Sequence, residues 1–296
     1  MRRLFPVWAL LVAAALAMSQ ERAGARLMQA SDLARLPQPA ADHVIAYGEA
    51  PQQVAELRLP KGAGPHPVVI VIHGGCWQTP WAMDDVRSLA AALTAEGLAT
   101  WSLEYRRVGD PGGGWPGTLE DVARGADHLR SAARAHRLDL GRVVALGHSA
   151  GGHLALWLAA RHKLKRDSPL WSDSPLVLRG IVSLAGIPDL RAAAAAKVCG
   201  DAVAQFLGGS PADQEGRVRE SSPIELLPLG VRQRLVCGTE DRLVPSELSR
   251  RYQETASSAG DDMGVELVEG VGHFELVDPR SVAWPSVRRA VAELLR

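Results

Sequence analysis

The chain is short of cysteine, of net charge and of long apolar runs, and each shortage removes a class of function. Three cysteines in 296 residues, Cys76, Cys199 and Cys237, are too few for a disulfide scaffold, and none has zinc-ligand spacing. In an exported protein one pair could bridge and leave the third free. Lysine plus arginine equals aspartate plus glutamate at 33 each, so the basic excess expected of a nucleic-acid partner is missing. Arg124, Arg130, Arg134 and Arg137 recur at helical spacing among alanines and read as a solvated helix face. The apolar stretch from Leu4 to Met18 falls short of the ~20 residues that a membrane span needs. There is no internal repeat, and the only low-complexity segment is the short alanine run from Ala192 to Ala196.

What is present begins with a leader. Arg2 and Arg3, the apolar run, polar Ser19 to Arg22 and then Ala23-Gly24-Ala25 are the three parts of a secretory signal. Residues 1–25 are therefore expected to be a signal peptide and the protein to be exported, periplasmic or secreted. The alternative is an uncleaved, membrane-anchoring N-terminus; no stable membrane insertion is expected once the signal is removed. Residues 26–42 are polar and proline-punctuated and read as an irregular lead-in. Residues 43–296, in a chain 47% hydrophobic and 22% charged overall, suit one globular enzyme domain.

Within that domain, strand and helix patterns alternate. Val44 to Leu59 reads as an antiparallel hairpin, and Val68 to Ile72 as a parallel strand buried on both faces. Asp84 to Glu96 is helical, and Leu98 to Tyr105 a strand. Thr118 to His136 is an amphipathic helix, with Thr118 and Asp121 spaced for a capping box. Val143 to Leu146 is a strand and Ala150 to Arg161 a helix. Gly180 to Ala185, Leu235 to Cys237 and Val265 to Val268 are strands, and Val282 to Leu295 closes the chain as a helix. The alternation predicts an α/β fold with a mostly parallel central sheet, helices on both faces and no large cap domain. Pro188 to Leu229 is the only long insertion.

Ligands of such sheets gather at the carboxyl ends of the strands, and reactive residue types cluster there. Gly147-His148-Ser149-Ala150-Gly151 falls between a strand and a helix, where a nucleophile elbow requires it. The bare pattern arises by chance roughly 0.2 times in a chain of this composition, so its position carries the weight. Among the histidines downstream, His162 sits in a charged helix tail. His273 follows a strand in a glycine-rich turn and is the expected base. Asp241 is the expected acid, with Glu240 and Asp189 as alternatives. The backbone N–H of Ala150 is one oxyanion donor; Gly75 and Cys76, in His73-Gly74-Gly75-Cys76-Trp77, are the other candidates. Trp77, Trp81 and Trp115 are candidates to line a substrate pocket, Trp77 and Trp115 foremost. Gly112, Gly114 and Gly117 fit G-x-G-x-x-G, but Pro111 and Pro116 interrupt the segment and no dinucleotide site is expected.

His73-Gly74-Gly75-Cys76-Trp77, Gly147-His148-Ser149-Ala150-Gly151-Gly152, Gly238-Thr239-Glu240-Asp241 and Gly272-His273-Phe274 together resemble the α/β-hydrolases related to esterases, lipases and kynurenine formamidases, a BD-FAE-like group. The resemblance spans residues 43 to 296 and includes the tyrosine-arginine pair in Glu104-Tyr105-Arg106. It implies the α/β-hydrolase fold and an oxyanion hole supplied by the His-Gly-Gly loop. Two departures stand out: Cys76 where hormone-sensitive-lipase-like esterases carry a third glycine, and His148 where they often carry an aspartate. Hydrolysis of small or aryl carboxylic esters through an acyl-enzyme is the expected activity, with a small-molecule ester as partner and neither metal nor organic cofactor. Arylformamidase activity is the runner-up, and a non-catalytic binding protein on the same fold comes below it.

Overall fold

The computed structural model describes residues 26–296, and the expected signal peptide lies outside them. Eight strands form a single sheet in the order β1-β2-β4-β3-β5-β6-β7-β8. They are β1 (His43–Ala46), β2 (Val54–Arg58), β3 (His66–Ile72), β4 (Ala99–Leu103), β5 (Leu138–His148), β6 (Gly180–Leu184), β7 (Arg232–Gly238) and β8 (Met263–Val268). β1 and β2 form the predicted hairpin, and β2 pairs antiparallel with β4; every other pairing is parallel. The helices are α1 (Ala30–Leu33), α2 (Arg87–Ala95), α3 (Gly117–His136), α4 (Ala150–Ala160), α5 (Leu190–Ala195), α6 (Ala202–Leu207), α7 (Glu215–Ser221), α8 (Ser246–Ser258) and α9 (Trp284–Leu295).

β3 shows why its unbroken β-branched run suits a central strand. Val68, Ile70 and Ile72 enter one hydrophobic layer, with Leu119 and Val122 of α3 and Leu154 and Trp157 of α4. Val69 and Val71 enter the opposite layer, with Leu89 and Leu93 of α2 and Val287 and Val291 of α9. Successive side chains point to opposite faces of a strand, so a strand covered on both sides must be apolar at every position. The chain leaves β3 for β4 on one side and returns to β5 on the other. This reversal opens a crevice at the carboxyl ends of β3 and β5, where ligands of such sheets bind.

Two local expectations need correction. The capping box of α3 does not form: the helix starts one residue earlier, at Gly117, with Pro116 as its N-cap. Thr118 instead donates to the Arg106 carbonyl, and Asp121 takes both Nε and Nη2 of Arg106 at 2.7 Å. Tertiary partners thus claim both side chains that would have capped the helix. The lead-in is also less irregular than its prolines suggest. It carries the single turn α1, and Leu33 and Leu36 are buried in the layer shared with α2 and α9. The insertion after β6 holds three short helices, α5 to α7, and no separate domain.

Candidate active site

β5 ends at His148, and α4 begins at Ala150. Ser149 between them has φ 54° and ψ −119°, the strained elbow that lifts a side chain above the sheet. The turn closes only because its flanking residues lack side chains. A Cβ on Gly147 would lie 2.0 Å from the Gly151 carbonyl oxygen, and one on Gly151 would lie 2.1 Å from that of Ile72. Ser149 is 2% exposed and His273 7%, and both line one cavity of about 330 Å³.

His273 follows β8, and its Nδ1–H donates to Asp241 Oδ2 at 2.7 Å. The other Asp241 oxygen accepts the N–H groups of Leu243 and Val244 at 2.8 and 2.9 Å. Burial opposes the charge on Asp241, but His273 and these amides outweigh it and hold the carboxyl below the usual carboxylate range. With Nδ1 engaged by Asp241, Nε2 is the remaining ring nitrogen of His273. The other candidates lie elsewhere. Glu240 is exposed, Asp189 caps α5 by accepting the Ala192 N–H at 3.0 Å, and His162 bonds the Ala159 carbonyl at 2.9 Å.

The loop after β3 stands beside the elbow, because Ile72 pairs in register with Gly147. Gly75, Cys76 and Trp77 all have positive φ, at 99°, 54° and 58°. Among the described residues, the N–H groups of Gly75, Cys76 and Ala150 donate to no protein acceptor. A buried ionic group supports this loop from below. His73 Nε2 meets Glu104 Oε1 at 2.9 Å, and the Met83 N–H donates to Glu104 Oε2 at 2.9 Å. Burial opposes the Glu104 charge, but His73, Met83 and Arg107 lower its carboxyl to about 2. The Tyr105 hydroxyl donates to the His73 carbonyl at 3.0 Å.

The tryptophan assignments need correction. Trp77 is fully buried and does not line the cavity; its Nε1–H donates to His153 Nδ1 at 3.1 Å, and its ring stacks on Phe206. Trp115 also lies off the cavity, beneath the Arg217 guanidinium 4.5 Å from its ring centroid. Trp81 does line it, with Phe274, Leu243, Leu33 and Ala30. An apolar ring in a loop near the strand ends can face either way, and Trp77, at φ 58°, lies in the core.

Three contributors escape a reading of motifs alone. His148 lies against His273, and its Nε2–H donates to the His273 carbonyl at 3.0 Å. Burial, with some repulsion from His273, pushes the His148 imidazole down to about 3, so it is neutral. Cys199 is disulfide-bonded to Cys76, and both line the cavity, while Cys237 is free and buried. The lead-in contributes Gln29, Ala30 and Leu33 to the cavity wall. Cysteine parity hinted at one bridge, and adjacency to Ser149 hinted at His148; nothing local pointed to the lead-in.

A serine elbow at the switch point of a mostly parallel eight-stranded sheet, with a histidine and an aspartate after later strands, is the arrangement of the α/β-hydrolases. The chain belongs to the BD-FAE family, whose model matches residues 56–255. It is 27% identical over 256 residues to a probable isoprenylcysteine alpha-carbonyl methylesterase, ICMEL1, of Arabidopsis thaliana, covering 78% of this chain and 50% of that one. It is 26% identical over 244 residues to esterase LipC of Mycobacterium tuberculosis, covering 79% and 60% respectively. The chain thus spans half to three-fifths of these relatives. An inhibited esterase B from Lactobacillus rhamnosis superposes with a TM-score of 0.74 at 21% identity, over 98% of this chain and 95% of that one, a likeness of fold.

Proposed function

We propose that the protein hydrolyses carboxylic esters, small or aryl, through an acyl-enzyme on Ser149. The carrying observation is the 2.7 Å bond from His273 to Asp241, beside a serine held at a strained elbow in the same cavity. Ser149 Oγ attacks the ester carbonyl while His273 Nε2 takes its proton, and Asp241 holds the tautomer and stabilises the imidazolium. The tetrahedral oxyanion faces the N–H groups of Gly75, Cys76 and Ala150. The imidazolium then protonates the leaving alcohol, and water releases the acyl group by the same steps. Trp81, Phe274, Leu243 and Leu33 give the cavity the apolar walls that suit such a substrate. Relatives named as esterases support the same reaction class.

The test is turnover of p-nitrophenyl esters and fluorophosphonate labelling, in wild type and in Ser149→Ala. Both signals should vanish in the variant, and labelling that persisted would overturn the assignment. N-formylkynurenine belongs in the same panel: its cleavage in place of ester cleavage would replace the ester reading with the amide one. We also propose that the protein works outside the cytosol. The Cys76–Cys199 disulfide supports this placement, because such bonds persist in oxidising compartments. Detection of the full-length protein in the cytosolic fraction, with its leader intact and thiols reduced, would argue against export.

A further inference from the structure

We propose that Cys199 is a positioning residue for this reaction: its disulfide clamps the oxyanion loop to the segment inserted after β6. The inference rests on the esterase reading given above. Gly75, Cys76 and Trp77 occupy a run of left-handed backbone that side chains rarely adopt, and such a run persists only where its surroundings over-determine it. Within the loop itself, two bonds oppose relaxation, from the Gln78 N–H to the Gly75 carbonyl and from His73 Nδ1 to the Gly74 carbonyl, both at 2.9 Å. The rest of the restraint comes from outside. Cys76 is tied to Cys199, 123 residues away, with the two Cα atoms 6.1 Å apart. Just beyond Cys199, α6 supplies Phe206 to stack on Trp77, with ring centroids 4.9 Å apart, and Gln205 to accept from the Gln78 side-chain amide. Three consecutive loop residues are therefore fastened to one nine-residue stretch, Cys199 to Leu207, and one of those fastenings is covalent.

The consequence is specific to the transition state. Oxyanion donors work because they are fixed before charge develops, and they contribute little to binding of the neutral ester. A loosened loop should therefore cost kcat and leave KM nearly alone. A disulfide that served stability alone would lower the melting temperature and leave kcat unchanged at temperatures where the protein stays folded.

The experiment compares wild type, Cys199→Ser and wild type treated with dithiothreitol, well below the melting transition. Dithiothreitol delivers two electrons to the bridge, leaving two protein thiols and its own cyclic disulfide. Expected is a fall in kcat of ~10-fold, smaller than for outright deletion of a donor, with KM moving by less than about twofold. Reduced wild type should match Cys199→Ser, and the variant should not respond to dithiothreitol. Reduction acts on protein that is already folded, so the test survives a variant that fails to fold. Amide hydrogen exchange at residues 74–78 should quicken on reduction while β3 and β5 stay protected. An unchanged kcat, a loss carried by KM, equal inhibition of Cys199→Ser by dithiothreitol, or unchanged exchange at 74–78 would each overturn the clamp. If wild type cleaves no ester at all, the functional reading falls instead, and the exchange measurement alone decides the clamp.

Discussion

His148 Nε2 donates to the backbone carbonyl of His273 at 3.0 Å, so the residue before the proposed nucleophile holds the chain that carries the proposed base. The rings lie 4.5 Å apart at 50°, and His148 stays neutral because its site is buried. His148→Ala removes this donor and leaves a buried carbonyl unpaired, a cost of ~1–3 kcal/mol. Its kcat should drop about tenfold if the base shifts by part of an ångström. His148→Gln, which keeps an N–H donor, should recover most of that loss. Equal activity in His148→Ala and wild type would show that the base needs no such support.

Asp241 and Glu240 are adjacent carboxylates with unequal fates. Asp241→Asn should lower kcat by up to ~10⁴-fold, because an amide favours the wrong imidazole tautomer. Glu240→Gln, at an exposed position, should stay within about twofold of wild type. Ester kinetics on the two variants check the assignment, and the reverse ranking would transfer the role to Glu240.

Stability should fall in mild acid. The buried imidazoles of His148 and His153 are pushed down to about 3 and about 4 from 6.5, in both cases chiefly by burial. Between those values and 6.5 the unfolded chain binds a proton that the folded protein refuses, so each group removes ~1.4 kcal/mol per pH unit as pH falls. Glu104, lowered to about 2 from 4.5, adds the same sign below 4.5, where the unfolded carboxyl protonates first. Urea midpoints at pH 7.5, 6 and 5 should decline in that order, and a flat series would contradict the burial of both rings.

Trp77 and Trp81 should separate stability from specificity. Trp77→Ala opens a cavity in the core and orphans His153 Nδ1, so unfolding free energy should drop by ~3–5 kcal/mol. Trp81→Ala should leave the melting temperature closer to wild type and shift preference toward longer acyl chains, read from a chain-length series of nitrophenyl esters. A Trp81 variant with an unaltered chain-length profile would remove that ring from the substrate wall.

The sequence by itself determined the architecture and most of the proposed site. Strand and helix periods are local, so β3 and the strands and helices on its flanks follow from patterning that any window of ten residues displays. The elbow was legible for the same reason: its glycines, serine and flanking elements are contiguous, and close backbone approach at positions 147 and 151 admits little else. The chain order of serine, acid and histidine, after β5, β7 and β8, completed the set.

Only the tertiary structure decided the choices that depend on distance through space. It joined Cys76 to Cys199 across 123 residues and brought Asp241 rather than Glu240 to His273. It turned Trp77 into the core, left Trp81 in the cavity, and folded Leu33 of the lead-in against the site. Residue type sets what a side chain can do. Which partner it meets is settled by packing among elements far apart in the chain, and no local period encodes that.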